Sequence, residues 1–448
     1  MKKRTKTLLS TLLILVGLGL LGTAGWLWFD ANVDRSGWVQ AEDGSYSYRD
    51  FHGKEITGWL PLADRTCYFD AEYRMVTGWQ TIDGEKYYFG NDGVMATSWK
   101  ELEGSTYYFG EDGILTTGWL ETPQGKYYFD ANGAMVTYWQ EIDGQEYYFG
   151  EDGILATGWR DLEKGRYYFD DRGIYVTGVQ KMEDGERFFL EDGTMATDWV
   201  ERDGETYYYS LDGLKCTGWQ EIAGGCYFFS EEGVLQTGWH EEGEYRYYLG
   251  EDGKAAVGRV ELEGQVYYFT PKGIQVVLVN KDNPIPSYYK TDVVVAEDYH
   301  LIQRVALEPL KSMLADCRAA VGSCIFNSSY RTQKEQTTIL ETRTQEYMDK
   351  GMTYDEAYEE TLKTVSLPGT SEHQLGLSVD LVGEEANAWL AEHCWEYGFI
   401  LRYPEGKKEI TGIINEPWHF RYVGSRVSMD MKDTGLCLEE YLGAGPVY

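Results

Sequence analysis

Tryptophan returns every 20 residues through the middle of this 448-residue chain. Trp59, Trp79, Trp99, Trp119, Trp139 and Trp159 keep the interval, and Trp199, Trp219 and Trp239 resume it after Val179. Arg259 holds the next register, and Trp38 sits one residue out of phase upstream. A fixed period over more than 200 residues is the mark of a repeat array. A typical unit opens on Thr77-Gly78-Trp79, passes through Asp83-Gly84, reaches the aromatic triplet Tyr87-Tyr88-Phe89, and closes on Asn91-Asp92-Gly93. The glycines suit turns that need positive φ, and the aromatic runs suit strands. Each unit is therefore predicted to be a β-hairpin that cannot bury its own apolar face. Stacking supplies the missing partner, so residues 36–275 are expected to form a hairpin solenoid.

Composition agrees with this and narrows the partners. The chain holds 37 Tyr and 52 Gly but only 10 Pro, a mix that fits short strands joined by glycine turns. Its net charge of 40 − 74 = −34 argues against nucleic acid, whose phosphates it would repel. At the N-terminus, Lys2, Lys3, Arg4 and Lys6 precede an uncharged, mostly apolar run of 22 residues from Leu8 to Phe29. That run is long enough to cross a bilayer, and its basic flank predicts a cytoplasmic N-terminus with the rest exported. Residues 1–35 are read as an uncleaved anchor, with a cleaved signal peptide as the competitor. The seven cysteines show no CxxC spacing, which argues against a thiolate zinc site. Export permits disulfides, with Cys317 and Cys324 a candidate pair, but buried thiols are the default reading.

The repeated GW, YYF and DG elements, in that order, resemble the cell-wall-binding repeats of choline-binding and glucan-binding surface proteins. In the choline-binding family, aromatics of neighbouring hairpins form a cage that holds a quaternary ammonium through cation–π attraction. That family usually carries a further Trp just before the Tyr pair. Here the slot holds Lys86, Thr106, Lys126, Glu146 and Arg166. In this respect the units look more like repeats associated with glucans. The resemblance implies attachment to a wall polymer or glycan, either choline-substituted teichoic acid or glucan.

The period fails after about Gly273, and residues 276–448 read as a separate α+β domain. Helices are predicted over 299–320, 332–365 and 386–397, and strands at 324–326, 410–414 and 419–423. Three blocks carry the chemistry. The first is Ser328-Ser329-Tyr330-Arg331, with Gln336 five residues after the Arg. The second runs from Ser371-Glu372-His373 to Asp380. The third is Glu416-Pro417-Trp418-His419. Catalytic zinc takes three protein ligands and keeps a fourth position open, and two imidazoles with one carboxylate meet that need. A carboxylate that does not bind the metal can carry the proton. His52, His240, His300 and His393 lack such surroundings and are read as ordinary core or surface histidines.

The blocks resemble the VanY-type D-alanyl-D-alanine carboxypeptidases, whose pattern is SxYRxxxxQ, then SxHxxGxxxD, then EPWH. The resemblance implies an α+β zinc peptidase with Zn2+ on His373, Asp380 and His419, and Glu416 as general base. It further implies that Arg331 holds the substrate carboxylate or developing oxyanion, while Gln336, Ser371 and Trp418 line the substrate site. Ser378 stands where the family often has Ala. The expected substrate is the C-terminal D-alanine of peptidoglycan stem peptides. An L,D-carboxypeptidase, a D-Ala-D-Ala dipeptidase and a non-catalytic wall-binding protein are the alternatives.

Overall fold

The repeats form separate two-stranded hairpins, each closed by the glycine turns that the sequence supplies. The computed structural model describes residues 35–446. The N-terminal stretch read as an anchor lies outside them. Among the described residues, no helix is long and apolar enough to cross a membrane. The chain divides into two compact units, one running to Gln180 with Phe189–Met195, the other comprising Lys181–Phe188 and everything from Ala196 on.

The first unit contains seven two-stranded hairpins, from Gly37–Gln40 with Tyr46–Arg49 to Gly158–Leu162 with Gly165–Phe169. Gly78–Ile82 pairs antiparallel with Glu85–Phe89, placing Trp79 opposite Tyr88. The connecting pair Asp83 (φ 52°) and Gly84 (φ 94°) is a primed turn, whose twist matches that of the strands. Side chains alternate across the second strand, so Tyr87 and Phe89 point inward and Tyr88 is half-buried. The stacking recurs bond by bond. Met95 N–H donates to Thr66 O at 2.8 Å, and twenty residues on Leu115 N–H donates to Lys86 O at 2.9 Å. Trp79 packs edge-on against Tyr107 of the next hairpin, with centroids 5.1 Å apart. The second turn explains the recurring DG pair. At Gly93 (φ 72°) a Cβ would lie 2.1 Å from Met75 Sδ of the preceding unit, so glycine lets the units close without displacing that side chain.

The second unit continues with hairpins from Asp198–Arg202/Glu205–Tyr209 to Gly258–Leu262/Gln265–Phe269, and Gln275–Val276 adds a third strand to the last. Beyond it lies an α+β domain around a four-stranded antiparallel sheet. The spatial order is Ile325–Ser328, Ser378–Val382, His419–Tyr422, Phe399–Leu401. Helices Leu307–Val321 and Glu384–His393 cover it with Leu310, Met313, Leu314 and Leu390, against Val379, Leu381 and Phe420. A second apolar cluster joins the last hairpins to this domain, with Tyr247 and Tyr268 packing among Ile400, Val427, Met431 and Leu438. Tyr422 Oη donates to Glu244 at 2.8 Å, and the Arg426 guanidinium donates to Glu242 at 2.8 Å beside it.

Several local expectations change. The predicted helix 299–320 begins as strand His300–Gln303, and the helix proper starts at Leu307. The long helix 332–365 is two, Gln333–Met348 and Tyr354–Thr361, because Gly351 stops the first and Thr353 with Glu356 caps the second. Residues 410–414 are not a strand, since Lys408–Thr411 turns as a short helix ended by Gly412. All seven cysteines are free, so Cys317 and Cys324 are not joined, and both lie in the apolar core.

Candidate active site

Cross-strand register assembles the site. Asp380 and His419 lie directly opposite each other on the two central strands, and Ser328 faces Asp380 from the other side. Opposed residues on one face keep their Cβ atoms roughly 5 Å apart, within reach of a shared ion. His373 arrives from a tight 3-10 turn, Glu372–Leu375, that Gly376 ends in the left-handed region (φ 72°). A Cβ at Gly376 would meet Val293 Cγ1 at 2.8 Å, so a larger residue there would have to displace that side chain as well as adopt the left-handed backbone.

The three side chains offer ligand atoms within 4.8 Å of one another, all buried. His373 Nε2 is 3.4 Å from Asp380 Oδ2, and His419 Nδ1 is 3.2 Å from Asp380 Oδ1. The imidazole rings are 4.8 Å apart at 72°. His373 Nδ1 lies 2.8 Å from Ser329 O, which fixes the ring and leaves Nε2 facing inward. Asp380 Oδ1 is buried and makes no hydrogen bond within the protein. An orphaned carboxylate oxygen beside two imidazole nitrogens is a donor set suited to zinc, so the residues fit that ion.

Burial and neighbouring charge compete at these three side chains. Burial alone would raise the Asp380 carboxyl, but His373 and His419 outweigh it and hold it well below the usual range. Burial alone would lower the His419 imidazole, yet the carboxylates of Asp380, Glu372 and Glu416 around it push it well above its ordinary value. At His373 burial wins, and the imidazole is lowered.

The other predicted residues surround this point in a cleft of about 670 Å3. Glu416 Oε2 is 3.4 Å from His419 Nδ1. Arg331 reaches Asp380 Oδ2 at 3.3 Å, and its guanidinium is steadied by Ser328 Oγ at 2.8 Å and Gln336 Oε1 at 3.3 Å. Gln336 also donates to Ser366 O at 2.8 Å, so its amide is engaged with the protein at both ends. Ser371 and Trp418 line the cleft. His300, by contrast, stacks on Phe326 at 4.3 Å in the core, and His393 stacks on Trp389 at 4.5 Å.

Sequence reasoning passed over Glu372. Its carboxylate is fully buried, accepts from Arg402 Nε at 2.8 Å, pairs with Arg421 at 3.0 Å, and faces His419 Nε2 at 3.9 Å. Its charge lies on the Nε2 side of the His419 ring, while Nδ1 faces Asp380, and Nε2 itself makes no hydrogen bond within the protein. Burial would raise this carboxyl, but the two guanidinium groups hold it far below the usual range. Ser378 donates to Glu372 Oε2 at 3.2 Å, which accounts for a hydroxyl at that position. The available signal was Glu372 standing between Ser371 and His373, but nothing local reveals its arginine partners.

Fold and site together define a class: a hairpin-repeat protein with an α+β domain that carries a buried His–Asp–His cluster able to hold a metal ion. Residues 299–425 match the VanY D-alanyl-D-alanine carboxypeptidase family. Residues 76–99, 96–138, 136–173 and 176–213 match a choline-binding repeat, and 237–255 match a cell wall binding repeat. The chain therefore carries a VanY-type domain joined to choline-binding-type repeats. A D-alanyl-D-alanine carboxypeptidase of Enterococcus faecalis is 42% identical over 175 residues, 37% of this chain and 65% of the relative. The chain thus spans less than two thirds of that relative. A variant of the vancomycin-resistance D,D-pentapeptidase VanY, solved with Zn(II), is 41% identical over 37% of this chain and 97% of that one, with a TM-score of 0.36. Choline binding protein F of Streptococcus pneumoniae is 28% identical over 51% of this chain and 95% of that one, with a TM-score of 0.43.

Proposed function

We propose that this chain is an exported zinc metallocarboxypeptidase that removes C-terminal D-alanine from peptidoglycan stem peptides and is held at the wall by its repeats. The observation that carries the reading is the convergence of His373, Asp380 and His419 in one buried corner of a cleft that also contains Arg331 and Glu416. These three residues would hold the ion. When bound, zinc supplies Lewis acidity and a water that is nucleophilic near neutral pH.

The remaining work falls to the chain's own residues. Arg331, braced by Ser328 and Gln336, presents guanidinium donors to the substrate's terminal carboxylate or to the developing oxyanion. Glu416 sits beside the ligand set and carries the proton from the attacking water to the leaving amine. Trp418 and Ser371 wall the cleft and keep the peptide in register. The repeats add avidity, raising the local concentration of enzyme at an insoluble substrate without any new catalytic contact. The basic and apolar N-terminal segment would keep the chain at the membrane with repeats and enzyme outside.

Product analysis on three substrates tests the assignment. A pentapeptide stem should lose one D-alanine, while a tetrapeptide stem and free D-Ala-D-Ala should remain intact. Cleavage of the tetrapeptide alone would make the enzyme an L,D-carboxypeptidase, and cleavage of the dipeptide alone a dipeptidase. No cleavage of any of them would leave a non-catalytic wall-binding protein.

A further inference from the structure

In three repeats the face of the tryptophan is already covered by a cation from the same hairpin. Lys126 Nζ stands 4.4 Å over the Trp119 ring, the Arg166 guanidinium 4.7 Å over Trp159, and the Arg246 guanidinium 4.3 Å over Trp239. The register sets this in the three hairpins where the slot pairs with an acid, while Lys86 in the Trp79 hairpin pairs with Thr81. Lys126 pairs with Glu121, Arg166 with Asp161 and Arg246 with Glu241, each two residues beyond the tryptophan on the same face of the hairpin. The acid then tethers the cation: Lys126 lies 4.0 Å from Glu121, Arg166 3.3 Å from Asp161, and Arg246 2.9 Å from Glu241.

The same slot carries no cation beside Trp99, Trp139 and Trp199, where it holds Thr106, Glu146 and Thr206. These three rings are 37–38% exposed and the capped Trp239 is 39% exposed, so the units differ in whether a cation stands over the ring and not in total exposure. Beside Trp199 there is a hollow of about 440 Å3, lined by Thr206, Tyr227, Leu235, Glu251 and Asp252. Aromatic faces with carboxylates around them attract an organic cation, whereas a ring already under a tethered guanidinium or ammonium offers that charge no free face.

We propose that Lys126, Arg166 and Arg246 are resident caps that close Trp119, Trp159 and Trp239 to cationic ligands, so that cation binding by the array is confined to uncapped rings such as Trp199. The proposal rests on the reading of the repeats as a wall-attachment device and specifies which units perform it. A tethered cap competes as an intramolecular ligand. Even a solvent-exposed cation–π contact weakens an incoming cation by about two- to fivefold, and the cap's stem also blocks the approach.

The test is equilibrium dialysis of the full chain against labelled tetramethylammonium. It compares the parent with the triple variant Lys126→Ala, Arg166→Ala, Arg246→Ala and with Thr206→Lys. The triple variant should bind more cation than the parent, by up to three per chain, and Thr206→Lys should bind less. An unchanged stoichiometry and affinity in the triple variant, including no binding by either protein, would overturn the proposal. So would full retention of cation binding by Thr206→Lys. Sedimentation of the parent with purified wall sacculi reads the attachment function separately. Failure there with a gain in the triple variant sinks wall attachment and leaves the caps standing.

Discussion

Glu416 and Glu372 are both carboxylates near His419, yet their surroundings differ. Glu416 lies at the cleft with one oxygen 3.4 Å from His419 Nδ1 and no arginine partner among its ion pairs, which suits the proton transfer proposed for it. Glu372 is locked between Arg402 and Arg421 on the far side of the ring. Glu416→Gln is expected to lower kcat by about 100- to 10,000-fold while leaving metal content unchanged, as measured by steady-state kinetics and metal analysis. The network behind Glu372 is structural. Arg402 is fully buried and bidentate to Glu439 at 2.6 and 2.8 Å. Glu439→Leu would remove one partner of a buried pair and should cost about 3–5 kcal/mol in chemical denaturation. The two histidines, Asp380 and Glu416 were legible in the sequence because short motifs place them beside diagnostic neighbours. Arg402, Arg421 and Glu439 were not, because a buried ion network joins residues tens of positions apart and leaves no local pattern.

At the level of elements, the hairpins were legible because the 20-residue period repeats turn chemistry as well as hydrophobicity. The peptidase domain was harder to read. The run from Ile410 to Ile414 has β-branched residues typical of a strand, but Gly412 and the bond from Thr411 N–H to Lys407 O make it a helical turn. The apolar residues Leu301, Ile302 and Val305 satisfy a helical spacing as well as a strand followed by a turn, so periodicity alone could not decide. Glycine at the two turns of a repeat serves different ends, and stability should show it. A Cβ at Gly84 would meet nothing within 4 Å, so Gly84→Ala should cost only the left-handed backbone penalty of about 1–2 kcal/mol. Gly93→Ala must also displace Met75 and should cost more, as compared by denaturation midpoints.

For the whole molecule, the point where the period stops is not where the packing stops. Tyr247 and Tyr268 belong to repeats by sequence but to the peptidase by core, and Glu242 and Glu244 bind Arg426 and Tyr422. A fragment beginning at 276 should therefore melt well below one beginning at 196, since each buried aromatic it lacks contributes about 1.5–3 kcal/mol. Equal melting temperatures for the two fragments would show that the shared cluster contributes nothing. On the proposed function, the hairpin array places the enzyme at the wall, while the His373–Asp380–His419 pocket sets what it does there.

The role of that pocket is tested by D-alanine release from a pentapeptide stem by the full chain, before and after removal of metal by a chelator and again after addition of zinc. Release should stop on stripping and return with zinc, and His419→Ala should be silent throughout. Release that continues undiminished in the stripped protein, or that never occurs under any metal condition, would contradict a zinc carboxypeptidase.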